Sequence, residues 1–538
     1  MKRKPTLLLL GALFALTYLI EWLQPGFRAV WPSVVALVLV FTTRKVLMGL
    51  FGGAFAGALL IAGGRIWAVP MDLVEHHLLP SFESPWKSGA IIFTLLLGGF
   101  VHLLERGGVL QALLLRLLHG GDPRRIESGA GLFGLVCFFD GLANSLMVGR
   151  IFQPLAEANG VSKVRLAYIV DTTSAAVACL AFISTWIAYQ LAMIREGFVL
   201  AGHEALAQPY QLFFASLPFN YYAWFALLLL GVTVWRQWNF GPMATWQEAA
   251  ERKPLEGPAA GSGPVGLWRA GLPVAVLILI IFAGIYADGT LRMGESWWPL
   301  GLEKLALCFA EANVPAILII ASGVASLLAW AFFPPGAAGE GETPGSVFMD
   351  GMLQLFQPVL ILVMAWMLSS TLNALEAADY LGELLGGRLG PAWFPLAVFL
   401  TGSLVAFTTG TSWGTMGLLM PLAIPLAFSL VGDDPAAAME LMPMVIGAVF
   451  SGAVFGDHCS PISDTTIVSS IACGVDPIDH VRTQLPYALL AAAGAALVGF
   501  LPAGLLGGSA YYSIAAAVVF LLILQFLEVI SRPRKRKA

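Results

Sequence analysis

Long apolar blocks alternate with short polar stretches along this chain, and each block is long enough to cross a bilayer core as a helix. Blocks at 7–23, 27–43, 46–63, 88–104, 163–194, 211–235, 270–287, 313–333, 350–371, 440–472, 485–503 and 509–530 predict transmembrane helices. Two further apolar runs, 126–160 and 392–427, are interrupted by the polar tips FFDGLANS and TTGTSWGT. These read as re-entrant hairpins, pairs of half-helices that a bilayer tolerates only where they line a cavity. The expected fold class is an all-α polytopic membrane protein with about 12 transmembrane helices plus two re-entrant helical hairpins.

The polar stretches have their own pattern. Segment 64–87, with His76 and His77, reads as a solvated loop, and 105–125 and 379–390 are amphipathic and lie along the interface. Residues 236–264 are rich in Pro, Gly, Ala and charge and form a linker between halves, and PPGAAGEGETPG is a second soluble link. Span, amphipathic segment, hairpin, broken span and span run through 88–235 and again through 350–503, the order expected of an internal repeat. Asn144 and Ser145 precede Pro154 as Thr411 and Ser412 precede Pro421, and Asp171-x-x-Ser174 answers Asp457-x-x-Ser460. Outside the repeats lie spans within 1–63 and 270–333, a last span at 509–530 and a basic tail at 531–538.

Composition agrees with the class: 58% of residues are hydrophobic, only 12% are charged, and mean hydropathy is +0.81. With a cytoplasmic N-terminus, 21 of the 29 Lys and Arg residues face the cytoplasm, Lys163 and Arg165 among them. Seven face outside, and Arg150 is left at depth. Span 88–104 then runs inward and 350–371 outward, so the repeats are inverted. Five cysteines, at 137, 179, 308, 459 and 473, follow no disulfide or metal spacing and read as structural thiols; His458 beside Cys459 is a weak metal signal.

The chemistry concentrates in FGDHCSPISDTTIVSS, residues 455–470. One Asp at the centre of a membrane helix costs about 2.5 to 3.5 kcal/mol, so two of them in an apolar run imply a use. Pro461 has no N–H and leaves the carbonyl of Asp457 without its helix partner, while Gly456 loosens the backbone just before it. Ser460, Ser463, Thr465 and Thr466 add hydroxyl oxygens. Broken, oxygen-rich backbone in a low dielectric is what a small hard cation needs in place of water.

This stretch, followed by DPIDHVRTQLPYAL, resembles the signature of the NhaC family of sodium/proton antiporters in the ion-transporter superfamily. The match is dense over 455–487 and thinner over 131–195 and 403–425. The resemblance implies a sodium/proton exchanger of the bacterial cytoplasmic membrane with both termini cytoplasmic. It also implies a transport unit of hairpins and unwound helices moving against a dimeric scaffold, for which 1–63 and 270–333 are candidates. Some members of the family couple ions to organic acids such as malate and lactate.

Burial favours the protonated carboxyl and a bound cation favours the ionised one, so at a shared group each ligand expels the other. Asp457 and Asp464 are the first candidates for that role, with Asp171 and Asp140 as counterparts from the first repeat. Asn144, Ser145, Thr173, Thr411, Ser412, Ser460 and Thr465 are candidate neutral oxygen ligands. Arg150 either balances a buried aspartate or contacts an organic carboxylate, and His458 is either a pH sensor or a satisfied core donor. Paired membrane aspartates also occur in intramembrane proteases, but Asp457 follows Phe455-Gly456 and Asp171 follows Val170, not the sequences such enzymes carry. The chain is therefore expected not to be an enzyme. No nucleotide-binding motif occurs, so neither a cofactor nor a nucleic acid partner is expected, and an ion gradient is the expected driving force.

Overall fold

The computed structural model describes residues 11–20, 26–43, 45–107, 122–138, 141–251, 268–294, 296–298, 301, 304, 307–308, 311–334, 341–377, 380, 390–432, 434–461 and 463–531. Among these, every regular element is helical. Helices α1 (Trp31–Thr43), α2 (Val46–Ile61) and α3 (Pro85–Arg106) lead to the first hairpin, α4 (Pro123–Val136) and α5 (Gly141–Ala158). Then come the bent pairs α6 (Lys163–Leu180) with α7 (Thr185–Leu200), and α8 (Pro209–Ser216) with α9 (Tyr221–Arg236), each bent by 47°. After α10 (Trp268–Met293) and α11 (Val314–Ala331), α12 (Pro344–Gln354) and α13 (Phe356–Ala374) lead to the second hairpin, α14 (Phe394–Thr409) and α15 (Ser412–Leu430). A second broken span, α16 (Pro435–Cys459) and α17 (Asp464–Ala472), is followed by α18 (Pro477–Gly494) and α19 (Ala510–Ser531).

Among the described residues, nine helices are long and apolar enough to cross a membrane, or up to eleven if each bent pair is one span. Two of the nine are the arms of the second hairpin, and the apolar helices Gly11–Ile20, Trp31–Val40 and Leu47–Ile61 are shorter.

Local chemistry sets the breaks. Gly410 ends α14 in a left-handed conformation, φ 67°, which only glycine adopts freely, and Thr411 caps α15 by accepting from Gly414 N. At the second broken span α16 stops at Cys459, ahead of Pro461. The first broken span corrects an expectation. Residues 171–174 do not interrupt it, because Thr173 donates to Ile169 O and Ser174 to Asp171 O, back into their own helix. The break falls at 181–184, where Ser184 caps α7 by accepting from Trp186 N. Ser184 and Ser463 each stand at the N-terminus of the helix that follows a break, and six residues before them lie Ala178 and Asp457 respectively.

Two polar assignments also change. The 64–87 segment is largely helical, and His77 is buried with its Nδ1 2.8 Å from Ser370 Oγ of α13, while His76 stays exposed. Arg165, expected to face the cytoplasm at the start of the 163–194 span, is fully buried, and its guanidinium donates to Glu127 Oε2 of α4 at 3.1 Å.

The most enclosed helices are α6 and α16, buried along almost their whole lengths. In a bilayer, apolar burial does little to join helices, and close backbone approach does more. Accordingly α16 meets α14 through glycines: a Cβ on Gly452 would lie 2.8 Å from Ser403 N, and one on Gly456 would collide with Ala406. Gly456 is helical, so its role is this contact and not a looser backbone. Gly134 of α4 likewise leaves room for Thr173 of α6.

Candidate ion site

The starts of α5 and α7, the turn of the second hairpin and residues on both sides of the 460–463 break meet at one small cavity of about 60 Å³. Its wall includes Gly141 and Leu142 at the start of α5, Thr185 and Trp186 at the start of α7, and the 410–413 turn of the second hairpin. Asp457 and Thr465 come from either side of the 460–463 break, and Leu355, at the junction of α12 and α13, closes it with Gln357 and Ile361 of α13. Asp457 is the carboxylate among the described residues that line it. Broken helices bring opposite dipole ends together: α5, α7 and α15 begin here, and α14 and α16 end here.

Asp457 is 2% exposed, and Ser463 Oγ donates to its Oδ1 at 3.1 Å. Ser463 Oγ also lies 3.1 Å from Thr465 Oγ1, so three oxygen-bearing side chains form a connected set across the break. The Asp457 carbonyl, freed by Pro461, accepts from Thr466 Oγ1. Thr411 and Ser412 reach the same cavity from the opposite hairpin. The result is a buried carboxyl group with neutral oxygens around a space for a few waters or one small ion, far below the roughly 300 Å³ of ordinary small-molecule pockets.

The other sequence candidates divide. Asp140 lies outside the described residues; Asp464 opens α17, but its side chain is outside them as well. Asn144 does not line the cavity: its amide donates to Gly134 O at 2.8 Å and Thr173 O at 3.0 Å, tying both hairpin arms to α6. Thr173 bonds its own helix, and Ser145 and Ser460 are buried without lining the cavity. Arg150, expected at depth beside an aspartate, is exposed on α5 and makes no ion pair among the described residues. An outward arginine there reflects the helical register of α5, whose buried face is held by Asn144 and Val148.

Asp171 is fully buried but belongs to a different cluster. Gln484 Nε2 donates to its Oδ2 at 2.6 Å and to the carbonyl of His458 at 2.9 Å, and His480 Nε2 lies 3.5 Å from the same Oδ2. His458 Nδ1 is 2.9 Å from Tyr222 OH. Sequence reading passed over His480, Gln484 and Tyr222. The first two stand four residues apart, so they share one face of α18, and that polar pair in an apolar helix was the available signal.

A larger cavity of about 230 Å³ lies farther along α7, α13 and α15, lined by Val199 to Gly202, Leu372 to Ala377, and Pro421 to Pro425 in part. Those three helices also border the Asp457 cavity, so the two spaces lie along one axis. Glu376, in a left-handed conformation at φ 56°, is an acidic residue of this outer wall.

A bundle of membrane helices broken around one buried carboxylate is the construction of a secondary transporter. The Na+/H+ antiporter family matches residues 177–505, more than half of the chain, and the chain belongs to that family, which makes it a transporter rather than an enzyme. It is 29% identical over 526 residues to an uncharacterised protein of Haemophilus influenzae, covering 95% of this chain and 97% of that one. It is 34% identical over 146 residues to the Na(+)/H(+) antiporter NhaC of Alkalihalophilus pseudofirmus, covering 26% and 29% of the two chains. A third relative is the malate-2H(+)/Na(+)-lactate antiporter of Bacillus subtilis, 36% identical over 118 residues, 21% of this chain and 24% of that one. In fold it resembles the YdaH transporter of Alcanivorax borkumensis, with a TM-score of 0.53 at 16% identity, covering 93% and 98% of the two chains.

Proposed function

We propose that this protein exchanges Na+ for H+ across the bacterial cytoplasmic membrane by alternating access, driven by an ion gradient and without a cofactor. The observation that carries this reading is the meeting of the starts of α5 and α7, the second hairpin's turn and the 460–463 break around Asp457. Asp457 supplies the anionic ligand, and Ser463, Thr465, Thr411 and Ser412 supply neutral oxygens. Its carboxylate holds either a proton or a cation, because an uncompensated charge in this dielectric is costly and two positive charges on one carboxylate repel. The repeats at 88–235 and 350–503 supply the moving hairpins, with both termini cytoplasmic and a homodimer formed through the flanking spans.

Dye-reported proton efflux from proteoliposomes on adding sodium tests this directly. Wild type responds, and Asp457→Asn abolishes the signal while remaining monodisperse. Normal exchange in Asp457→Asn would move the ion site elsewhere. Asp464→Asn, measured alongside, tells whether the second acid of the motif joins the site.

The malate/lactate relative supports a second reading, a cation-coupled exchanger of small organic acids. A 60 Å³ cavity and an outward Arg150 speak against it. Counterflow of radiolabelled malate, absent with sodium alone, would reverse that preference.

A further inference from the structure

Resting on the exchange reading, we propose that the Asp171–His480 pair is a second proton-binding site, separate from the cation cavity, so that each sodium ion is exchanged for more than one proton. Both side chains are completely buried, 3.5 Å apart, on α6 and α18, and neither lines the Asp457 cavity. A buried carboxylate beside a buried imidazole is tolerated when one proton sits on the pair, leaving it neutral overall. Adding or removing one leaves a net charge in low dielectric, which the protein must relieve by moving.

Three polar atoms at the cluster, Asp171 Oδ1, His480 Nδ1 and Gln484 Oε1, are buried with no protein hydrogen-bond partner. Their unused capacity is what a transferable proton and a bridging water require. An adjoining void of about 10 Å³, bordered by Thr172, Tyr222, His458 and Gln484, has room for at most one water. Depth fits the role as well. Asp171 is the ninth residue of α6 and His480 the fourth of α18, so both lie within on the order of 12 Å of the ends at which these helices begin. The Asp457 cavity lies farther along the same direction, bordered by Thr185 and Trp186 beyond the end of α6.

One amide couples the two sites. Gln484 Nε2 bonds both Asp171 and the carbonyl of His458, the residue next to Asp457. When Asp171 takes up a proton the first bond loses its ionic partner, so the carbonyl at the end of α16 loses a competitor for the same amide. The other titratable side chains facing Asp171 are His458 and Cys459 from α16, Cys473 just beyond α17, and Tyr222 from α9. From α4, Glu127 is already engaged by Arg165.

With two protons per sodium the cycle moves net charge, and with one it does not. In proteoliposomes at equal pH, a potential of about 100 mV clamped with potassium and valinomycin then biases the sodium distribution roughly 50-fold for each net charge. Wild type is expected to show that bias. Asp171→Asn and His480→Gln are expected to keep sodium-driven proton movement at a lower rate while the bias falls to about onefold. A bias absent from wild type, or retained in both variants, overturns the proposal. So does loss of all exchange in variants that remain monodisperse and melt near wild type, since the pair would then be inseparable from the cation site. Should one variant fail to fold, the other decides by the same criteria. Wild type that moves no protons with sodium defeats the exchange reading itself, before any variant is compared.

Discussion

Ser463 donates its hydroxyl to Asp457 at 3.1 Å, across the gap where one membrane helix stops and the next begins. That bond aims the carboxylate and joins it to Thr465. A hydrogen bond to a charged group contributes about 1.5 to 3 kcal/mol, so Ser463→Ala is expected to raise the half-saturating sodium concentration by about tenfold or more. Sodium titration of proton efflux measures it, and an unchanged midpoint would remove Ser463 from the site.

Glycine positions carry the contact between the second hairpin and α16. A Cβ at Gly456 has no space beside Ala406, whereas one at Gly231 of α9 meets nothing within 4 Å. Gly456→Val should therefore lower stability by about 1 to 3 kcal/mol, and Gly231→Ala should be neutral. Thermal unfolding in detergent compares them; equal melting temperatures would mean the two helices are not so closely apposed.

Glu127 and Arg165 form a fully buried ion pair, with Gln237 donating to Glu127 and Thr233 accepting from Arg165, that joins the first hairpin to α6 and α9. Removing one partner strands the other charge, and Glu127→Ala is expected to cost about 3 to 5 kcal/mol. The double change Glu127→Leu with Arg165→Met should recover most of that loss. A double variant as unstable as the single one would show that the guanidinium has a role beyond pairing.

His77 responds to pH outside the spans. Burial holds its imidazole below the ordinary value of 6.5, with Asp72 pulling the other way. The neutral form is the one buried against Ser370, and the unfolded segment binds the proton more readily. The contribution of this contact is thus complete above pH 6.5 and is lost as pH falls through the lowered value. Hydrogen-exchange protection over residues 73–78, corrected for the intrinsic pH dependence of exchange, should fall as pH drops below 6.5, and His77→Gln should flatten that dependence.

How much was legible follows from how local each cause is. The 460–463 break announces itself because proline lacks a donor, and the second hairpin because Gly410 admits a left-handed turn. In the first broken span the expected and actual breaks differ by ten residues, about three helical turns. Its polar residues, 171–174, bond back into their own helix, and the true break is AFIS, three apolar residues and one capping serine.

Hydropathy and the cost of charge in hydrocarbon are properties of a stretch of chain, so the helical membrane class, the two hairpins and the break beside Asp457 could be read from residue order alone. Which acids share a space is a matter of helix rotation and of contacts between residues hundreds of positions apart. Only folding could part Asp171 from Asp457, bind it to Gln484, turn Arg150 outward and bury Arg165 against Glu127.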